Sequence, residues 1–500
     1  MQERSSGAEL AATLRVELNR YSPGEKLPSS RALVERHRVS PVTVSRALAE
    51  LAAEGLVVTR PGAGAFRAEP RGEAPRPVDT SWQEIALSAE PAGDQVPRSV
   101  DASGVLATLA TPAPGVIELI GGYLHPDLQP ERALAAALAR AGRRPGVWGR
   151  PTVGGVAELR AWFAREIAGP GGPLAASDVL ITAGGQSALN AALRALAAPG
   201  APVLVESPTY PGMLAVARAS GLRPVPVPVD ADGVRTDLLA DAFRVSGARL
   251  FVCQPLFQNP TGAVLADDRR REVLRVARAA GAFVIEDDFA RLLVHGDAPA
   301  LPPTLMADDR DGTVVHVRSL TKATSPNLRV GALAAHGPVL DRLRAIQVVD
   351  SFFVPGPLQE TALELVGSPA WPRHLRLISG ELTVRRNALT AALHRYLPGL
   401  AGPGGRHGSA YGHDAPGGLY VPPGGYHLWL RLPDGTDEAA LTGAALRAGV
   451  AVAAGRPYFA AEPPAAHLRL SFAAASGTAE ITEGVRRLRA ACEELGVPAG

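Results

Sequence analysis

SLTKATSPNLRVG, residues 319–331, follows an apolar run, TVVHV at 313–317, that reads as a β-strand, and it sets Lys322 just past that strand's end. Lysine is scarce in this chain. Of 51 basic residues only two are lysines, Lys26 and Lys322, and the other 49 are arginines. A guanidinium stays protonated and forms no imine, so a lysine kept in an arginine-rich chain points to chemistry that needs a primary amine. Against this stands the plain fact that a lysine on a loop is usually just solvated. The neighbours of Lys322 in the fold decide between the two.

Outward from that stretch, VLIT (179–182), APVLVE (201–206), LFVCQP (250–255) and AFVIED (282–287) are further strand-like runs, separated by helical segments rich in Ala, Leu and Arg. Such alternation predicts an α/β architecture, a mostly parallel sheet with helices on both faces. Several of these strands lead into residues with useful chemistry. ITAGGQSALNAAL is strand, glycine pair, helix: glycines let the backbone approach a phosphate, and a helix start offers free amides and a positive dipole end. Gly184, Gly185 and Gln186 are therefore the expected anion cradle, although a glycine pair can also mark a plain turn. ESPTYPG presents Tyr210, QPLFQNPTG presents Asn259, and AFVIEDD ends on Asp287-Asp288, a pair that could equally cap the next helix. Near the C-terminus HLRLSF carries Arg469.

In this order the motifs resemble the fold-type I, class I/II aminotransferases, which implies pyridoxal 5'-phosphate as cofactor. By that resemblance Lys322 forms the Schiff base, with Ser319 and Arg329 on the phosphate. Asp287 faces the pyridine nitrogen and keeps it protonated, so that the ring withdraws electrons. Asn259 bonds the ring hydroxyl, Tyr210 stacks on the ring, and Arg469 takes a substrate carboxylate in a two-bond fork. Lys322 and Asp287 are the expected catalytic residues. Two positions depart from the pattern. Phe289 stands where most relatives carry a tyrosine that donates to the ring oxygen, and Trp148 stands where many carry a tyrosine that reaches the partner subunit's phosphate. From about Leu358 a long helix followed by GYHLWLRL and HLRLSFA predicts a smaller α+β domain.

The N-terminal segment reads as helix, helix, helix, hairpin. Leu10, Leu14 and Leu18 recur every four residues, Ser22-Pro23-Gly24 breaks the first helix, and Pro28-Ser29-Ser30 opens the second. A third begins at Ser40 as cap with Pro41 in the first turn and stops at Gly55, before LVVTR and PGAGAF. Thr43, Ser45 and Arg46 lie opposite Leu48 and Leu51, a face that can reach base edges and phosphates in a major groove. An ordinary helical subdomain with surface arginines would show the same spacing.

LPSSRALVERHRVSPVTVSRALAELAAEGLVVTRPGAGAF resembles the GntR family of winged helix-turn-helix repressors. This implies a backbone-phosphate contact from Arg31, groove contacts from Ser40, Thr43, Ser45 and Arg46, and a wing at Arg60 and Gly62 against the minor groove. Pro41 replaces an arginine found there in many members. The whole order, winged helix at 1–68, linker at 69–115 and aminotransferase-like domain at 116–500, resembles the MocR-type regulators; its large domain is expected at about 145–355 and its small domain at about 358–500. SWQEIALS at 81–88 is a candidate helix inside the linker, and 401–418 a candidate surface insertion.

The expected function is a DNA-binding transcriptional regulator that senses pyridoxal phosphate or an amino-acid-like compound, working as a homodimer on a double-stranded operator. The alternative is an aminotransferase with a secondary DNA-binding domain. Composition agrees with a globular chain: 46% hydrophobic and 20% charged residues, with no long uninterrupted apolar run that would span a membrane. Two cysteines, Cys253 and Cys492, build neither a disulfide framework nor a zinc site, and with no secretory signal in MQERSSGAEL a cytoplasmic location is expected. Net charge is +2, and residues 1–67, with ten basic against seven acidic side chains, carry the basic excess.

Overall fold

The structure is a computed structural model; it describes residues 2–69, 83, 98, 100–169, 171–402 and 419–498. The chain divides into two units, Met1–Glu90 and Pro91–Gly500. Most of the candidate helix at 81–88 and of the candidate insertion at 401–418 lies outside the described residues.

In the first unit, helices α1 (Gln2–Glu17), α2 (Ser30–His37) and α3 (Pro41–Ala53) precede a hairpin of β1 (Val57–Arg60) and β2 (Gly64–Arg67). The leucine stripe drives its packing. Leu10, Leu14 and Leu18 are buried with Val44, Ala47, Leu48 and Leu51 of α3, which leaves the opposite side of α3 to solvent. Ser40 caps α3 by accepting from the Thr43 backbone N–H at 3.1 Å, satisfying an amide that the first turn cannot.

The second unit is built on an eight-stranded sheet in the order β4-β11-β10-β9-β8-β5-β6-β7. Its strands are β4 (Val179–Thr182), β5 (Pro202–Ser207), β6 (Arg223–Asp230), β7 (Gly233–Val234), β8 (Leu250–Cys253), β9 (Phe283–Asp288), β10 (Val314–Ser319) and β11 (Gly331–Ala334). From β10 to β6 all pairings are parallel, while β11 runs against both its neighbours. Successive side chains enter two separate cores. Val179, Leu204, Phe251 and Val284 pack on one face, and Leu180, Val205, Val252 and Ile285 on the other. Both faces are dry, which is why these strands read as unbroken apolar runs.

One strand defies sequence reading. RPVPVPVD at 223–230 carries three prolines, yet it pairs with β5 along its length. The Arg223 N–H donates to Ala201 O, so in a parallel ladder the prolines at alternate positions turn their missing N–H toward the side where only the short β7 pairs.

A three-stranded sheet, β12 (His427–Arg431), β15 (His467–Ser471) and β14 (Ala453–Ala454), follows the 27-residue helix Ala370–Tyr396. The segment ahead of the large sheet joins this C-terminal part, because β3 (Ile117–Glu118) pairs with β13 (Val450–Ala451) and the Ser471 N–H donates to Leu119 O. Among the described residues no helix is long and apolar enough to cross a membrane.

Candidate cofactor site

β4, β5, β8, β9 and β10 point the same way, and residues at or just beyond their C-terminal ends line one pocket. Gly185, Gln186, Tyr210, Asn259, Asp287, Ser319, Lys322 and Arg329 all line it.

One end of the pocket is shaped by glycine. Gly184, at φ +82°, caps the helix Gly185–Leu196, and a Cβ there would lie 2.9 Å from the Arg329 guanidinium. Any other residue would push that arginine away. Arg329 donates to Ala183 O at 2.7 Å, which holds its charge beside the helix start. Ser319, whose Cβ lies 3.7 Å from where a Cβ on Gly185 would be, donates to the Thr321 hydroxyl at 3.0 Å. Ser319 pairs with Gly331 in the ladder, so residues 320–330 leave the sheet and return to it at adjacent positions, carrying Lys322 and Arg329 between.

Lys322 donates to Gly122 O at 2.8 Å, with Nζ 4.0 Å from the centre of the Tyr123 ring. Burial pushes its amine down to about 7, Arg469 and Arg329 push the same way, and Asp287 opposes them. A substantial share of such an amine is neutral near pH 7, as a nucleophile must be.

The two aspartates at the end of β9 separate by partner. Asp288 is held by Arg318 and Arg291, both at 2.6 Å; burial works against its charge, but the two arginines outweigh it and keep the carboxyl well below its usual range. Among the described residues no arginine pairs with Asp287. Burial raises its carboxyl to about 6, with a hydrogen bond from Gln254 and, only weakly, the charge of Lys322 pulling the other way. Asn259 is buried and its Oδ1 has no partner among the described residues. The Tyr210 ring lies where a Cβ on Gly212 would come within 2.4 Å of it, so Gly212 makes room for the aromatic.

Arg469 sits on β15, 3% exposed, and its guanidinium lies 5.7 Å from the ring of Tyr426, which itself lines the pocket. It donates to the Tyr458 hydroxyl, while its Nε has no partner among the described residues. Phe289 lines the pocket and stands edge-on to Tyr426, with centroids 6.2 Å apart. Trp148 is 79% exposed and takes no part in the lining. Tyr123, Leu189, Gln254, Thr321 and Tyr426 line the pocket without having been expected there. Gln254 and Thr321 lie inside motifs already singled out, but nothing local marks Tyr123 or Tyr426.

The residues expected at DNA belong to the first unit. Thr43 is half-buried, while Ser45 and Arg46 are exposed on α3. Arg31 is exposed beside Glu35, Arg60 lies over the Phe66 ring at 4.8 Å, and Gly62 takes φ +74° at the hairpin tip. The Ser40 hydroxyl is already engaged, by the Thr43 N–H and by the Thr43 hydroxyl at 2.9 Å.

Residues 120–488 match the family of aminotransferase class I and II, and residues 8–66 match the bacterial regulatory proteins of the gntR family. The HTH-type transcriptional regulator TauR of Rhodobacter capsulatus is 30% identical, over 94% of this chain and 92% of its own. The uncharacterized HTH-type transcriptional regulator YisV of Bacillus subtilis is 28% identical, over 82% of this chain and 80% of its own. Among solved structures, the α-aminoadipate aminotransferase LysN of Thermus thermophilus, complexed with N-(5'-phosphopyridoxyl)-L-leucine, superposes with a TM-score of 0.70 at 30% identity, covering 79% of this chain and 96% of its own.

Proposed function

On the premise that this chain belongs to the class I and II aminotransferase family and is a GntR-type transcriptional regulator, we propose that it holds pyridoxal 5'-phosphate through an imine on Lys322 and adjusts its DNA binding to that cofactor or to an amino-acid-like ligand. One observation carries the proposal. Lys322 is the only lysine among residues 91–500, and it stands in the pocket that Asp287, Asn259, Ser319 and Arg329 also line.

The side chains suit the cofactor. Gly184, Gly185 and Arg329 offer an anion a close backbone approach, a helix start and a cation. The unpaired Asn259 Oδ1 marks an amide whose hydrogen bonding the protein leaves incomplete, with its residue in the pocket wall. When bound, the cofactor supplies an electron sink. Asp287 holds a proton at the ring nitrogen, and Lys322 enters as a neutral amine. Arg469, with Nε free, takes the carboxylate of an amino ligand. Phe289 offers no hydroxyl to the ring oxygen, so that oxygen relies on Asn259. A ligand alters DNA binding only if it favours one arrangement of the paired subunits over another.

The test is visible absorption of the full-length protein mixed with pyridoxal phosphate, beside Lys322→Ala, followed by operator binding over a range of salt with and without ligand. A new band in the wild type alone, and ligand-dependent DNA affinity, are expected. A wild type that gains no band refutes the cofactor reading. The buried Arg469 also favours a second reading, a working aminotransferase, which requires turnover of an amino donor and a 2-oxoacid at ordinary enzyme rates.

A further inference from the structure

One buried side chain in the pocket wall has no part in that reading. Gln254 follows β8 directly and is 5% exposed. Its Nε2 donates to Asp287 Oδ2 at 2.7 Å, and its Oε1 accepts from the backbone N–H of Asn259 at 3.0 Å. Its own backbone N–H donates to Glu206 Oε2 at 3.0 Å. The orientation of the amide is forced. A backbone N–H can only donate, so the oxygen must face Asn259 and the NH₂ must face Asp287.

Among the described residues Gln254 is the one side chain that hydrogen-bonds Asp287, since Arg318 and Arg291 are both spent on Asp288. With Oδ2 occupied, Oδ1 is the oxygen left for a ligand. Resting on the cofactor reading above, we infer that Gln254 is a positioning residue that acts through Asp287 to keep a proton on the ring nitrogen of bound pyridoxal phosphate. A hydrogen bond to the ionised carboxylate makes it less basic, so a proton shared between Asp287 and the ring stays on the ring. Remove that donor and the proton moves toward the carboxylate. The same amide ties Asn259 and Asp287 together, so the groups meeting the hydroxyl and the nitrogen of the ring are set by one residue.

The experiment loads the full chain with pyridoxal phosphate labelled with ¹⁵N in the ring and reads protonation from the nitrogen shift by solid-state NMR. Gln254→Met keeps the length and removes the donor. Gln258→Met is the control, a second buried glutamine that donates to Glu206 and to Pro208 O and does not touch Asp287. In Gln254→Met the ring signal should move toward its unprotonated position, with cofactor affinity lower by roughly tenfold. In Gln258→Met the signal should stay. A wild-type ring signal in Gln254→Met, or equal displacement in both variants, overturns the inference. Should Gln254→Met not fold, Gln254→Leu, which also removes the donor, is expected to move the signal the same way, and no movement overturns it. A wild type that takes up no cofactor overturns the underlying reading, and this inference falls with it.

Discussion

Uptake of pyridoxal phosphate by the cofactor-free protein should follow the titration of Lys322. Only the neutral amine attacks an aldehyde. With its pKa pushed down to about 7, Lys322 is roughly nine-tenths neutral at pH 8, whereas an ordinary lysine near 10.4 is about 0.4% neutral, a difference of roughly 200-fold. The uptake rate should therefore rise with a midpoint near 7 and level off by about pH 9, as followed by the growth of visible absorption after rapid mixing. Arg469→Gln removes the largest like-charge contribution, which should lift the midpoint by about one unit and slow uptake at pH 7 roughly fivefold. The same shift acts on stability. Between about 7 and 10.5 the unfolded chain binds a proton at this lysine that the folded chain refuses, so the cofactor-free protein loses stability as pH falls through that window. An uptake rate still climbing above pH 9, or an Arg469→Gln midpoint equal to the wild type's, would refute the assignment of Lys322 as a buried amine depressed by its surroundings.

Among the described residues buried Glu206 has no cation partner, and burial lifts its carboxyl to about 7 against hydrogen bonds from Gln254 and Gln258. The folded state therefore loses stability as pH rises from about 4.5 to 7, and Glu206→Gln should recover on the order of 2 to 3 kcal/mol at pH 8 but little at pH 4, as read from melting temperatures. Ser40→Ala removes the cap of α3 and should destabilise the N-terminal unit by about 1 kcal/mol, lowering its melting transition in calorimetry. If Arg31 contacts a DNA phosphate, Arg31→Ala should weaken operator and non-operator binding alike and reduce the slope of log K against log salt by about 0.9; an unchanged slope would remove Arg31 from the interface.

The strands of the central sheet were legible because both of their faces are buried, leaving runs such as VLIT and LFVC with nothing polar to blur them. β6 was not, because a proline normally argues against a strand, and only the one-sided ladder shows why three are tolerated. Lys322 was legible through the scarcity of lysine, and Asp287 through its place at a strand end. Tyr123 and Gly122 were not, since Gly122 meets Lys322 across 200 residues of chain through a segment that pairs with the C-terminal strands. Sequence spacing could not divide the roles of Asp287 and Asp288. That follows from which of them Arg318 and Arg291 can reach.

The hairpin-like connection from β10 to β11 has a consequence for how this protein can vary. Its two ends are pinned at Ser319 and Gly331, which face each other in the ladder, so the arc between them has a fixed span. Lys322 and Arg329 ride on that arc, one at the amine end of the pocket and one beside the helix start at Gly184. Exchanging a side chain on the arc leaves its two contact points where they are. Adding or deleting one residue between 322 and 329 would move them relative to each other, by up to about 3.5 Å for an extended residue. That is more than the length of a hydrogen bond. The arc can therefore drift in composition while remaining constant in length.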